Sequence, residues 1–290
     1  MSSPPLTLCL AQLSPRLGDV GANLELHREA IARASEQDAR LVIFPELSLT
    51  GYRLRDLTFE VAIARDSREL DEFAKLSRGG PDLLVGFVEE SPDHRFYNAA
   101  AYFSAGRLVH VHRKVYLPTY GLFEEGRFFA MGSEFMAFDT GIGRLGVLIC
   151  EDVWHLSSAY AYFLQNVDWL LVMSAAPGRG LPEEGDEPSS GQAWNSLLVA
   201  VATFFNCGVF YVNRVGWEDG VKFWGGSKVV DPFGTVRGHA GQVEPELCFV
   251  DVDPAELRLA RINTPIRRDE RPELLRGLIE DITRGGGRRQ

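Results

Sequence analysis

The sequence predicts an α/β fold in one domain spanning residues 1–290, and three observations carry that expectation. Strand-like and helix-like segments alternate through most of the chain, several of the strands are continuous apolar runs, and no composition shift or linker separates the two halves. A continuous apolar run marks a strand covered on both faces, as in a sheet with helices packed against it.

Taken in order, Leu6–Leu10 reads as a first buried strand. A helix follows, because Val20, Leu24, His27, Ile31 and Ala34 recur at spacings of three and four. Leu41-Val42-Ile43-Phe44 is a short strand, and Leu83–Val88, Asn98–Phe103 and Leu108–His112 supply three more. Ser104-Ala105-Gly106 joins the last two through a hairpin-like turn. The second half repeats the theme, with strand Leu145–Ile149, helix Ser157–Gln165, strand Trp169–Met173, helix Ala193–Phe205 and strand Val209–Val212. Ser227–Asp231 is a last strand, ended by Pro232-Phe233-Gly234. The segment from Ala176 to Gly191, rich in Gly, Pro and acidic residues, is expected as a surface loop. The tail 284–290 is expected to be mobile.

Composition excludes several function classes. With 30 basic against 40 acidic residues and a net charge of -10, the chain is a poor match for a phosphate backbone, so no nucleic-acid partner is expected. No apolar stretch reaches the roughly 18–20 residues of a membrane span, and the N-terminus lacks the basic and apolar regions of a signal peptide. The expected location is the cytoplasm, with no membrane contact. The four cysteines form no C-x-x-C pair and stand at no metal-ligand spacing from histidine, so neither a metal nor a cofactor is expected. Cys9, Cys207 and Cys248 lie in or beside apolar runs and read as core thiols.

Three residues stand where a strand stops, the place at which loops converge in α/β sheets. Glu46 follows Phe44-Pro45, Lys114 closes the strand Leu108–Arg113, and Cys150 follows Leu148-Ile149. A buried acid is costly unless paired or protonated, and a carboxylate so placed suits a general base. The plain alternative is a solvent-facing glutamate beside a turn. A fixed ammonium at Lys114 can hold an oxyanion and lower the pKa of a nearby thiol, the alternative being a surface lysine. Cys150 precedes the polar run Glu151-Asp152, so it sits on a strand-to-loop elbow from which a nucleophile can face a cleft, beside the next backbone N–H. The tryptophans Trp194, Trp217 and Trp224 suit either an apolar pocket or packing.

The motifs Phe44-Pro45-Glu46-Leu47-Ser48-Leu49-Thr50-Gly51-Tyr52, His112-Arg113-Lys114-Val115-Tyr116-Leu117-Pro118 and Gly146-Val147-Leu148-Ile149-Cys150-Glu151-Asp152 occur in this order. Together they resemble the nitrilase superfamily, the carbon–nitrogen hydrolases, over about Leu6–Asp253. The resemblance implies a four-layer αββα sandwich and pairing into a homodimer or higher homo-oligomer. It also implies a thioester route in which Cys150 attacks and Glu46 moves the proton, while Lys114 and the Glu151 N–H hold the oxyanion. Glu125, in Leu122-Phe123-Glu124-Glu125, matches the second glutamate of the family. Tyr52, Tyr120, Phe123, Glu151 and Ser174 are the implied substrate contacts.

Within the superfamily, Lys114–Phe129, Cys150–Trp154 and Thr50–Leu57 are similar to the glutaminase domain of glutamine-dependent NAD synthetase. Two departures stand beside this. The 290 residues contain no ATP-pyrophosphatase domain. After the strand Trp169–Met173 the chain reads Ser174-Ala175-Ala176-Pro177, with Ala176 at the place of an expected serine and Arg179 as the substitute for a following basic residue. The expected activity is hydrolysis of the C–N bond of a small amide, with release of ammonia. The alternatives are a stand-alone glutaminase-like subunit serving a separate synthetase partner, an N-carbamoyl amidase or a strict nitrilase. A papain-like protease, with His155 as base, is the chemical rival, and an inactive scaffold has no use for Glu46, Lys114 and Cys150 together.

Overall fold

Each central strand presents its residues to two apolar layers, which is why its sequence is a run rather than an alternation. Leu8 and Leu10 share a core with Leu145, Val147 and Ile149 of the other half, whereas Cys9 and Ala11 pack on Ala30, Ile31 and Ala34 of a helix. The computed structural model describes residues 5–180 and 188–284. The expected mobile tail after Arg284 and the centre of the expected acidic loop, 181–187, lie outside the described residues.

The strands of the first half are β1 (Leu6–Gln12), β2 (Leu41–Ile43), β3 (Asp82–Glu90), β4 (Phe96–Ser104) and β5 (Arg107–Arg113). The second half adds β6 (Phe138–Thr140), β7 (Gly143–Ile149), β8 (Trp169–Ser174), β9 (Gly208–Asn213), β10 (Val215–Glu218) and β11 (Val221–Trp224). Last come β12 (Lys228–Val230), β13 (Val236–His239) and β14 (Glu246–Val252). Two six-stranded sheets form, in the orders β14-β1-β2-β3-β4-β5 and β13-β12-β9-β8-β7-β6, and β10 pairs with β11 as a separate ribbon. In each sheet the central trio is parallel, β1–β2–β3 and β7–β8–β9, and antiparallel strands flank it. Helices Val20–Glu36 and Arg68–Leu76 cover the outer face of the first sheet. Helices Leu156–Leu164 and Ser189–Phe205 cover the second. Gly146 allows that packing, since a Cβ there would lie 2.7 Å from the Tyr162 ring. The layers are therefore helix, sheet, sheet, helix, as expected.

Several elements differ from the reading of the sequence, among them the following. Helix Ser189–Phe205 begins inside the segment expected to be loop. The Ser190 hydroxyl accepts from the Arg179 N–H at 3.0 Å and donates to the Pro177 carbonyl at 3.3 Å, so tertiary bonds override weak helix formers. Helix Arg68–Leu76, capped by Ser67, was not anticipated. The run Leu247–Val250, read only as thiol surroundings, belongs to β14, which closes the first sheet against β1. Cys9, Cys207 and Cys248 are buried as expected, and burial pushes their thiols to about 12, 12 and 11.

One buried residue makes stability depend on pH. His27 donates from Nδ1 to the Asn23 carbonyl at 2.7 Å, which leaves Nε2 to accept from the Ser48 hydroxyl at 2.9 Å. Burial lowers its pKa from 6.5 to about 4. The folded chain thus keeps His27 neutral down to about pH 4, whereas the unfolded chain takes up the proton near 6.5. Stability from this residue is full above 6.5 and is lost as pH falls toward 4, by about 3 kcal/mol. Urea unfolding from pH 7 to pH 4 should show that decline, and His27→Gln should flatten it.

Candidate active site

The loop after β2 carries Glu46 across β3 at Gly86, where a Cβ would lie 2.5 Å from both the Pro45 carbonyl and the Leu47 nitrogen. Only glycine lets this loop lie so close. Glu46 is 1% exposed, which excludes the solvent-facing alternative. Its Oε1 accepts from Lys114 Nζ at 2.7 Å and from Asn98 Nδ2 at 2.8 Å. Its Oε2 accepts from the Ala175 N–H at 2.7 Å. With three donors on two oxygens, the carboxylate is fixed in one orientation.

Lys114 is buried as well, not a surface lysine, and its Nζ also donates to Glu125 Oε1 at 2.7 Å. Tyr52 donates to that same Glu125 oxygen at 2.6 Å. Asp152 ties the strand ends together. Its Oδ1 accepts from the Val115 and Tyr116 N–H groups at 3.0 and 2.9 Å, and its Oδ2 accepts from the Ile149 N–H at 3.1 Å. His112 Nε2 lies 2.9 Å from Asp152 Oδ2. The lysine-bearing loop is thereby registered against the strand that ends in Cys150.

Cys150 adopts φ 48° and ψ −101°, a conformation side chains rarely take, at the start of the helical turn Glu151–Trp154. The elbow expected from the sequence is present. Its N–H donates to the Met173 carbonyl at 2.7 Å, and the Ser174 hydroxyl donates to Sγ at 3.3 Å. Lys114 does pull the thiol pKa down, as the sequence suggested, but it is not the prevailing influence. Burial and then the Glu46 carboxylate push the Cys150 thiol well above its ordinary value, and Lys114 only partly opposes them. The resting group is a thiol, so a base has to take its proton. Burial pulls the Lys114 pKa down, but Glu125 and Glu46 together outweigh it and hold the ammonium well above the usual lysine range. Glu125 is pushed up to about 7 by burial, against Lys114 and with the help of Glu46.

In front of Cys150 lies a cleft of about 180 Å³. Tyr120, Phe123, Trp154 and Trp194 form aromatic walls, and Glu151 and Arg179 bring charge to it. Tyr120 donates to Glu151 Oε2 at 2.8 Å, and the Arg179 guanidinium lies 5.1 Å from the Phe123 ring centre. Tyr120, Phe123 and Glu151 thus line the cleft. Tyr52 and Ser174 stand behind the reacting groups instead, Tyr52 on Glu125 and Ser174 under the sulfur. Trp194 lines the cleft, Trp224 packs in the core beside Tyr211, and Trp217 is exposed. His155 lies flat on Tyr116, ring centres 3.6 Å apart, with Nε2 3.9 Å from Glu151, so the protease alternative has its base engaged elsewhere. Among the described residues no group of three or more His, Cys, Asp or Glu could hold a metal ion. Two partners of Glu46 escaped the sequence reading. Asn98, a polar residue opening an apolar strand, carried a faint signal, and the Ala175 N–H carried none.

Such a sandwich, with a thiol, an ammonium and a carboxylate just past the carboxyl ends of its strands and a second carboxylate on the ammonium, defines a class of enzyme suited to acyl transfer through cysteine. Residues 7–262 match the family Carbon-nitrogen hydrolase. The glutamine-dependent NAD(+) synthetase of Thermotoga maritima is 35% identical over 268 residues, which are 91% of this chain and 45% of that protein. The corresponding enzyme of Acinetobacter baylyi is 30% identical over 94% of this chain and 49% of its own length. The chain therefore spans about half the length of these curated relatives. Among solved structures, an amidase from Nesterenkonia sp. is 28% identical, with a TM-score of 0.78 over 94% of this chain and 96% of its own. A mutant of that amidase shows covalent addition of the acetamide moiety of fluoroacetamide at its active-site cysteine. A carbon–nitrogen hydrolase from Helicobacter pylori, 21% identical, shares the fold with a TM-score of 0.85 over 95% of this chain and 99% of its own. This chain belongs to the carbon–nitrogen hydrolase family and is an enzyme of that kind.

Proposed function

We propose that the protein hydrolyses the primary amide of a small molecule through a Cys150 thioester, with Glu46 as base and acid. The observation that carries this is the joint hold on Glu46 and Lys114 behind an elbow cysteine. Glu46 takes the thiol proton and the sulfur attacks the carbonyl carbon. Lys114 and the Glu151 N–H hold the resulting oxyanion. The C–N bond breaks, Glu46 returns the proton to the departing ammonia, and a thioester remains. Water, deprotonated by Glu46, then attacks the thioester carbon and releases the carboxylic acid and the thiol. Glu125 shares the lysine and keeps its ammonium charged.

The charged cleft favours an amide that also carries an amino group and a carboxylate, glutamine being the simplest. Glu151 with the Tyr120 hydroxyl suits an ammonium, and Arg179 suits a carboxylate. A second reading follows from the relatives, whose names pair glutamine with an NAD(+) synthetase. In it the chain is a glutaminase subunit that hands ammonia to a separate synthetase. No described helix is long and apolar enough to cross a membrane. A cytoplasmic location and association into a homodimer belong to the same proposal.

The deciding experiment is ammonia release from glutamine, asparagine, N-carbamoyl amino acids and aliphatic nitriles, with Cys150→Ala as control. Glutamine is expected to turn over fastest, and the variant should release none above background. Turnover of nitriles or N-carbamoyl compounds alone would sink the amide reading, and turnover that needs an added synthetase would select the subunit reading.

A further inference from the structure

The β10–β11 ribbon, with Arg214 just before it, holds a buried ion pair that the reaction above does not use. Arg214 is fully buried and Glu218 is 6% exposed, and the guanidinium pairs with Glu218 Oε2. Arg214 also lies 4.2 Å from the Phe223 ring centre and reaches the Pro15 carbonyl at 3.4 Å. A buried pair gains little net stability, because desolvation offsets most of the attraction. What the pair holds is more telling. Glu218 Oε1 accepts from the N–H groups of Tyr52 and Arg53 at 2.9 and 2.7 Å, across a separation of 166 and 165 residues. The Phe223 ring meets the Tyr52 ring edge-on, with centres 6.0 Å apart. Tyr52 is thus gripped by backbone and by ring, and both grips come from one ribbon. Its hydroxyl then donates to the Glu125 oxygen that also takes the Lys114 ammonium. The same ribbon accepts from Gly178 N–H through the Lys222 carbonyl at 2.9 Å. That bond steadies the segment whose Ala175 N–H rests on Glu46.

We propose that Glu218, oriented by Arg214, is a positioning residue for this hydrolase, acting through Tyr52 to set Glu125 against Lys114. The proposal rests on the amidase reading for its role in turnover but on geometry for its mechanism. Tyr52 favours the ionised form of Glu125 by donating to it. If Tyr52 drifts, Glu125 takes up a proton at higher pH, and the acid limb of the rate profile moves to higher pH with it.

The test compares Glu218→Asp, Glu218→Ala and Tyr52→Phe with the unaltered chain in kcat, KM and the pH profile of kcat/KM. Glu218→Asp keeps the charge on Arg214, so it folds where Glu218→Ala fails to, but it withdraws the acceptor from the two N–H groups. Each Glu218 variant is expected to lower kcat by about tenfold, as for a lost charge-assisted hydrogen bond, with KM little changed. The acid limb should move upward as it does in Tyr52→Phe, and adding either Glu218 change to Tyr52→Phe should cost nothing more. Factors that multiply, or an acid limb left in place by Glu218→Asp while Tyr52→Phe moves it, would overturn the proposal. Alkylation of Cys150 by iodoacetamide across pH gives the same comparison without any substrate. A chain that releases no ammonia but alkylates with matching profile shifts in the Glu218 and Tyr52 variants would sink the amidase reading alone. Matching activity with unmatched alkylation profiles would sink the positioning role alone.

Discussion

Lys114→Met is expected to cut ammonia release by about 10²–10³-fold and to lower the unfolding free energy by about 3–5 kcal/mol, the cost of leaving buried charge without its partner. The magnitude follows from what the ammonium faces. Its nitrogen lies 2.7 Å from Glu46 Oε1 and 2.7 Å from Glu125 Oε1, and all three side chains are buried. Methionine fills the same volume but leaves two carboxylates in one dry pocket, and like charges at that range cannot both stay ionised. The penalty should therefore shrink on acidification, because protonating one carboxylate relieves it. Urea unfolding at pH 5 and pH 8 reads this directly, with the deficit against the unaltered chain larger at pH 8. The loss of turnover has a separate origin, since the ammonium is the cation available to a developing oxyanion and removing one such donor costs about 10²–10³ in rate. A variant with native stability at pH 8 would mean that the two carboxylates do not depend on Lys114. One that kept turnover would remove the lysine from the proposed mechanism.

The parts of this arrangement that were legible in the sequence are those whose cause is local. Leu41–Phe44 and Leu145–Ile149 announce buried strands because both faces of a central strand are covered, and the residue after such a run has to lie at the sheet end. Glu46, Lys114 and Cys150 could be placed at that end from the sequence, and the motifs then supplied the roles. Glu125 was legible only through the resemblance. Partners fixed by tertiary approach were not legible. Glu218 reaches Tyr52 across 166 residues, and nothing near either residue encodes the pairing. The Ala175 N–H is a backbone group with no side-chain signature, and Asn98 looks like any polar residue at a strand start. The Cys150 thiol shows the same limit in its electrostatics. A neighbouring lysine does lower the thiol pKa, but complete burial and the larger effect of Glu46 turn the net shift upward. Burial depth is a property of the whole fold, so sequence spacing could not reveal which influence prevails.

Glu46→Gln separates the base from the nucleophile, and it is expected to cut kcat by at least the 10²–10⁴ typical of a lost general base while leaving the fold intact. Glutamine preserves the shape and can still accept from Lys114 and Asn98 through one oxygen. Its amide nitrogen would then face the Ala175 N–H, two donors at a site built for an acceptor, so a stability loss of about 1–3 kcal/mol is expected as well. The sulfur remains in place, hydrogen-bonded by Ser174. A reactive alkylating agent such as iodoacetamide should therefore still label Cys150, with iodide leaving as the S–C bond forms, and mass spectrometry counts the added group. Cys150→Ala gives the opposite pattern, no turnover and no label at that position. The pairing of a dead enzyme with a labelled cysteine is what a glutamate base predicts. It also distinguishes the rival chemistry, because a thiol served by His155 would keep its activity when Glu46 becomes glutamine. A Glu46→Gln enzyme that turns over near the native rate would assign the proton transfer to another group and leave Glu46 as a support for Lys114.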